Sequence, residues 1–178
     1  MKNKILLLYK SKTGFTKRYA EIIAKETHAV LMDYKKASPK IMSGFDTVIF
    51  GSRAHAGMID GYKKIRQMFL KSGAKHFVLF VTGATPNNSK EVETFWQQNL
   101  SADELRNLPH FYMQSGLCYE KMPCLDRLMM KGFCSMMQKK KNKTEQDKTI
   151  EQMITGSYDI SSDEYTKPLL DYVRENLS

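Results

Sequence analysis

Apolar residues along this chain fall into two patterns, short unbroken runs and stripes spaced three or four apart, and the two alternate from the start. Ile-Leu-Leu-Leu at residues 5–8 is a run suited to a strand covered on both faces. Phe15, Tyr19, Ile22 and Ile23 then recur at i, i+4, i+7 and i+8, the face of an amphipathic helix. Residues 28–34 form a second strand, and residues 37–44, with Pro39, a polar connection. Residues 46–51 form a third strand. Tyr62, Ile65 and Phe69 share a helix face that Gly73 ends, and residues 76–81 are a fourth strand. Helices over 88–100 and 102–108 stop at Pro109, and a fifth strand spans 110–115. Leu169, Val173 and Leu177 mark a last helix that opens near Thr166, with Pro168 in its first turn. Strands alternating with helices imply α/β architecture, a parallel sheet with right-handed crossovers.

The connection after the first strand carries the chemistry. Ser11, Lys12, Thr13, Gly14, Phe15 and Thr16 set three hydroxyls around a glycine at a helix N-terminus, where amide N–H groups and the helix dipole favour an anion. A phosphate monoester suits such a loop. An ordinary strand-to-helix turn capped by Ser or Thr has the same residues. Neither G-x-x-x-x-G-K-[ST] nor G-x-G-x-x-G occurs there, which argues against a triphosphate or a dinucleotide. Two further small or polar stretches follow strands: Ser52, Arg53, Ala54, His55, Ala56 and Gly57 after the third, and Thr82, Gly83, Ala84 and Thr85 after the fourth.

The motif S-x-T-G-x-T after a strand resembles the flavin mononucleotide (FMN) phosphate loop of flavodoxin-like proteins. The resemblance implies a doubly wound five-stranded sheet of order 2-1-3-4-5, with FMN at the carboxyl edge between the first and third strands. Flavodoxin is itself the type example of that placement, so the position is the family's and not read from these residues. All sixteen loop residues named above are then cofactor-binding candidates, 11–16 for the phosphate and 52–57 and 82–85 for the ring. A phosphoacceptor receiver domain shares the strand order but needs carboxylates where Tyr9-Lys10 and Gly51-Ser52 stand. Neither ring loop contains Trp or Tyr, so the flavin is expected to be open on at least one face, which favours substrate access. Arg53 or His55 is expected to stabilise a reduced, anionic ring, although either is equally an ordinary solvated loop residue. Trp96, spaced from Val92 as on a helix face, is expected in the core or a groove wall.

Composition changes the picture at one place. The chain has 178 residues, 42% hydrophobic and 26% charged, which suits one domain over 1–178, yet its formal charge is +9. Between Lys121 and Lys148, eight Lys and Arg face only Asp126, Glu145 and Asp147, so more than half of the excess is local. This is a basic, Met-rich insertion over 118–160, and six of the twelve methionines fall between Met113 and Met137. Leu125, Leu128, Met129, Gly132, Phe133, Met136 and Met137 follow helical spacing, ending in Lys139, Lys140, Lys141 and Lys143. The stripe either packs on the domain's own sheet or lies on an anionic membrane surface through residues 121–143. Nucleic acid is the least favoured partner, since no recognition motif accompanies the charge.

Three cysteines without C-x-x-C spacing indicate free thiols and no metal site. With no apolar leader and no run of about 18 apolar residues, the protein is expected in the cytoplasm, at most peripheral on the inner face of the membrane.

A closer resemblance covers most of the chain. Residues 115–131, with the Tyr119 turn and Asp126-Arg127-Leu128, are similar to the flavodoxin-domain family that includes the menaquinone-dependent protoporphyrinogen oxidases. That resemblance implies an FMN-dependent oxidoreductase, a protoporphyrinogen IX dehydrogenase passing electrons to a quinone. The alternative is a flavodoxin-type electron carrier, with a redox partner protein and no substrate site of its own. Catalytic residues are not indicated, and neither is oligomeric state.

Overall fold

In the computed structural model, which describes residues 3–177, the predicted alternation is present throughout. β1 (Ile5–Tyr9) leads to α1 (Phe15–Thr27) and β2 (Val30–Asp33). The buried face of α1 is Thr16, Tyr19, Ala20, Ile23 and Ala24, leaving Phe15 and Ile22 at its margins. The predicted polar connection contains a short helix, α2 (Pro39–Met42), started by Ser38, whose hydroxyl accepts from the Ile41 N–H at 3.2 Å, with Pro39 in its first turn. It buries Met42 completely.

β3 (Thr47–His55) runs four residues beyond the predicted end and turns into β4 (Met58–Ile59). The turn residues Ala56 and Gly57 both have positive φ, 49° and 76°, the geometry of a tight hairpin turn. The second expected loop is therefore largely strand. α3 (Tyr62–Leu70), β5 (His76–Gly83), α4 (Lys90–Asn99), α5 (Ala102–Asn107) and β6 (His110–Gln114) follow in the expected order.

The parallel strands lie in the order β2-β1-β3-β5-β6, which is 2-1-3-4-5 when only the parallel strands are numbered. Leu8 pairs with Phe50, and Phe50 with Leu79, so apolar residues lie side by side across the sheet. Leu6, Leu8, Val48, Phe50 and Leu79 pack on the face covered by α2 to α5. Leu7, Ile49, Val78 and Phe80 pack on the face covered by α1 and the C-terminal helix α8 (Lys167–Asn176). Burial on both faces is why the strands read as unbroken runs. Trp96 is buried in the first of these clusters, edge-on to His110 at 4.7 Å.

The insertion leaves β6 through β7 (Gly116–Leu117), forms α6 (Cys124–Lys139) and α7 (Glu145–Met153), and returns through β8 (Tyr158–Asp159), antiparallel to β7. Among the described residues, none of α6 or α7 belongs to either core cluster.

Candidate functional site

The first loop is held from below. The Lys10 N–H donates to the Gly51 carbonyl at 2.8 Å, and its ammonium pairs with Asp60 at 2.5 Å. Gly14, at φ 103°, is the N-cap of α1, a left-handed conformation that a side chain would strain. No side chain caps the helix and no acidic residue lies in its first turn. The first-turn amides of Phe15, Thr16 and Lys17 thus point out of a positive helix end with no side-chain acceptor. The plain capping turn is not what forms. The three hydroxyls have separate uses: Ser11 accepts from the Gly14 N–H at 3.2 Å, Thr16 pairs with Thr82 at 2.8 Å, and Thr13 has no partner among the described residues. Arg18 and Lys121 stand beside this loop around a cavity of about 450 Å³. Lys12 is exposed and lines neither this cavity nor the ring cleft.

The end of β3 carries a chain of charges. Asp60 bridges Lys10 and Arg53, the latter at 3.4 Å, and Arg53 also reaches Asp126 of α6 at 2.7 Å. Asp126 takes a second contact from His55 Nε2 at 3.1 Å. Burial would raise the Asp126 carboxyl, but hydrogen bonds and charge from Arg53, then His55, hold it below the usual range. Burial likewise opposes ionisation of Asp60, and Lys10 with Arg53 outweighs it. Arg53 is therefore a paired cation, and His55 is held by the same carboxylate. Ser52 points inward: it is fully buried and its hydroxyl donates to the Asp60 carbonyl. Its side chain braces the hairpin and does not reach the cleft, because the strand's alternation turns it away.

Thr82 and Gly83, expected in a loop, end β5, and the wall beside them is Tyr112 of β6. Any Cβ at Gly83 would come within 2.2 Å of the Tyr112 hydroxyl. That hydroxyl accepts from the Thr85 N–H at 3.2 Å. Burial pushes the phenol up to about 12, so it stays protonated with its own proton free to donate.

Together the three strand ends surround a cleft of about 510 Å³. Thr13, Phe15 and Thr16, residues 53–57 and residues 82–85 line it on one side, and Met122, Asp126, Met129, Met130 and Phe133 of the insertion on the other. Ser11, Lys12, Gly14 and Ser52 do not line it. Phosphate-sized donors at one end, a long cleft lined by aromatic and methionine side chains, and a hairpin of backbone amides fit a phosphorylated planar ring.

A model of the flavodoxin domain matches residues 6–147. The chain belongs to the flavodoxin domain family. Membership brings FMN as its cofactor and redox chemistry as its class of function. No curated protein matches the chain. Among solved structures, a flavodoxin, WrbA-like protein from Agrobacterium tumefaciens is 22% identical, covers 70% of this chain and 88% of its own, and has a TM-score of 0.44. Two-electron reduced Megasphaera elsdenii flavodoxin is 15% identical over 68% of this chain and 89% of its own, with a TM-score of 0.46. Flavodoxin 2 from Bacillus cereus is 19% identical over 73% and 94%, with a TM-score of 0.45.

Tyr112 and Asp126 are among the residues of this flavodoxin domain's site that sequence did not place there, while Phe133, read from sequence as part of the apolar stripe of α6, also lines the cleft. The ring loops lack Trp and Tyr, but β6 and α6 bring Tyr112 and Phe133 to the same cleft. Asp126 is the acidic residue of the Asp-Arg-Leu motif, and its spacing to Arg53 is readable only once α6 lies over β3. The insertion also adds an apolar pocket of about 330 Å³ that shares Ala84, Thr85, Leu117, Met130 and Phe133 with the cleft. Its far walls are Ile150, Met153 and Ile154 of α7 and the turn after it, and the buried Ser89 hydroxyl beside it has no partner among the described residues. Among the described residues no helix is long and apolar enough to cross a membrane.

Proposed function

We propose that this flavodoxin domain is an FMN-dependent oxidoreductase that takes electrons from a reduced apolar ring substrate, protoporphyrinogen IX in the resemblance above, and passes them to a quinone. One observation supports it over an electron carrier: an apolar pocket built by α6 and α7 adjoins the cleft, with Ala84, Thr85, Leu117, Met130 and Phe133 lining both. A carrier needs only an exposed flavin edge, whereas a substrate must be enclosed beside the ring and kept from water.

FMN supplies one- and two-electron chemistry when bound. In this reading the Thr13 hydroxyl and the amides of Phe15, Thr16 and Lys17 hold its phosphate, and Arg18 and Lys121 add positive potential. Residues 53–57 and 82–85 bound the ring. Tyr112, neutral and with a proton to donate, would supply a hydrogen-bond donor to the ring from the cleft wall. Because Asp60 and Asp126 hold the Arg53 guanidinium, charge stabilisation of a reduced ring would fall to hydrogen-bond donors of the cleft such as Tyr112. Met129, Met130 and Phe133 exclude water from the side where substrate enters.

The visible spectrum of the purified protein tests the cofactor, with stoichiometric FMN the expected result. Anaerobic mixing with protoporphyrinogen and a quinone analogue then tests the reaction. Steady turnover is expected; rapid one-electron exchange with a redox partner protein, without turnover, would leave the carrier reading in its place.

A further inference from the structure

α6 is apolar on two sides. Its inward face is Asp126, Met130, Cys134 and Met137, and only Met137 of the predicted stripe is buried. Leu125, Leu128, Met129, Phe133 and Met136 are 74%, 66%, 51%, 38% and 60% exposed. Elsewhere among the described residues, large exposed apolar side chains are fewer and scattered. The stripe does not pack on the sheet as one of the two expectations had it, because the Asp126 contacts to Arg53 and His55 fix the helix with the other face inward. A contiguous exposed apolar face of this kind calls for a partner.

The charges around it say which. The lysine run is partly used within the insertion: Lys140 pairs with Asp147 and Lys143 with Glu151, both at 2.7 Å. Lys121, Lys131, Lys139 and Lys141 are exposed and make no ion pair among the described residues. Lys131 lies three residues after Leu128 and Lys139 three after Met136, so free cations border the stripe. A second copy of a chain of net charge +9 would bring like charges together at this face. An anionic surface with an apolar interior meets both features at once.

We propose that the exposed face of α6 docks on an anionic lipid bilayer, with Leu125, Leu128 and Met136 entering the acyl boundary and Lys131, Lys139 and Lys141 at the headgroups. Met129 and Phe133 belong both to this face and to the flavin cleft, so docking sets the mouth of the cleft against the bilayer. The inference rests on the exposed surface and stands whatever substrate is oxidised.

The test is co-sedimentation of the full-length protein, with the flavin it carries, on vesicles of phosphatidylglycerol mixed with phosphatidylcholine and on phosphatidylcholine alone. Binding to the mixed vesicles is expected, falling as salt rises. K131Q/K139Q/K141Q is expected to weaken it about 100-fold, each lysine contributing about fivefold. L125Q/L128Q/M136Q should abolish it with flavin content and circular dichroism unchanged. No binding to the mixed vesicles, equal binding to neutral ones, or undiminished binding by the apolar triple variant overturns the proposal. So does a dimer, seen by sedimentation, that the apolar triple variant dissociates.

Discussion

Among the described residues, Thr13 carries the one hydroxyl of the first loop without a partner, since Ser11 serves Gly14 and Thr16 serves Thr82. Thr13→Val keeps the shape and removes that hydroxyl. It is expected to weaken FMN binding by about 1–3 kcal/mol, read by fluorescence titration of the apoprotein. Thr16→Val should act differently, lowering thermal stability through the lost Thr16–Thr82 contact more than it lowers flavin affinity. Gly14→Val should be worse than Thr13→Val, although a Cβ there meets nothing within 4 Å, because the cost lies in the backbone at φ 103°. Equal FMN affinity across Thr13→Val and Gly14→Val would place the phosphate elsewhere. These residues were legible in sequence as a group, since strand, hydroxyls, glycine and helix are all local. Their division of labour was not, because Thr82 lies far along the chain.

Among the helices, α7 is the clearest case of an element held by a single carboxylate. Asp147 closes a capping box with Thr144 and receives Lys140, and these contacts, Lys140 first, lower its pKa from 3.8 to about 2. A carboxyl lowered in the folded state stabilises it fully above its ordinary pKa and loses that contribution as pH falls through the lowered value. Protection of α7 amides against hydrogen exchange is therefore expected to be constant above about pH 5 and to fall toward pH 2. Asp147→Asn should reduce the protection at neutral pH and flatten this dependence. The Thr144-to-Asp147 spacing is a local signal and was present in the sequence, as was Ser38-Pro39 before α2. Both are masked by the lysines and polar residues that crowd those segments and hide short amphipathic turns. The hairpin at Ala56 and Gly57 is only half marked: Gly57 suits a positive φ, but alanine seldom takes one, so the string shows a loop and not a two-residue turn.

The insertion and the domain beneath it are separable in principle. β7 and β8 bring Leu117 opposite Tyr158, and neither core cluster uses a residue of α6 or α7. Replacing residues 118–157 by a two-residue hairpin turn is expected to leave a cooperatively folding domain, with its melting temperature changed by no more than about 5 °C. FMN should still bind, more weakly, since Lys121 and the far wall of the cleft are gone. Oxidation of an apolar ring substrate should be lost, and so should binding to anionic vesicles. A shortened chain that fails to fold would show that α6 and α7 contribute to the core after all.

Local pattern alone determined the five parallel strands, most of the helices, the glycine turn that opens α1 and the amphipathic, basic character of α6. Each depends on residues within a few positions of one another, where periodicity and turn chemistry act directly. Tertiary structure decided which face of α6 turns inward, that Asp126 contacts Arg53 and His55, that Ser52 faces the interior, and that Tyr112 and Phe133 wall the cleft. Each of these joins side chains from separate elements. A stripe of apolar residues specifies a helix face but not its partner, since burial on the sheet and exposure on the surface satisfy the same spacing; the anchoring of one aspartate turned this stripe outward.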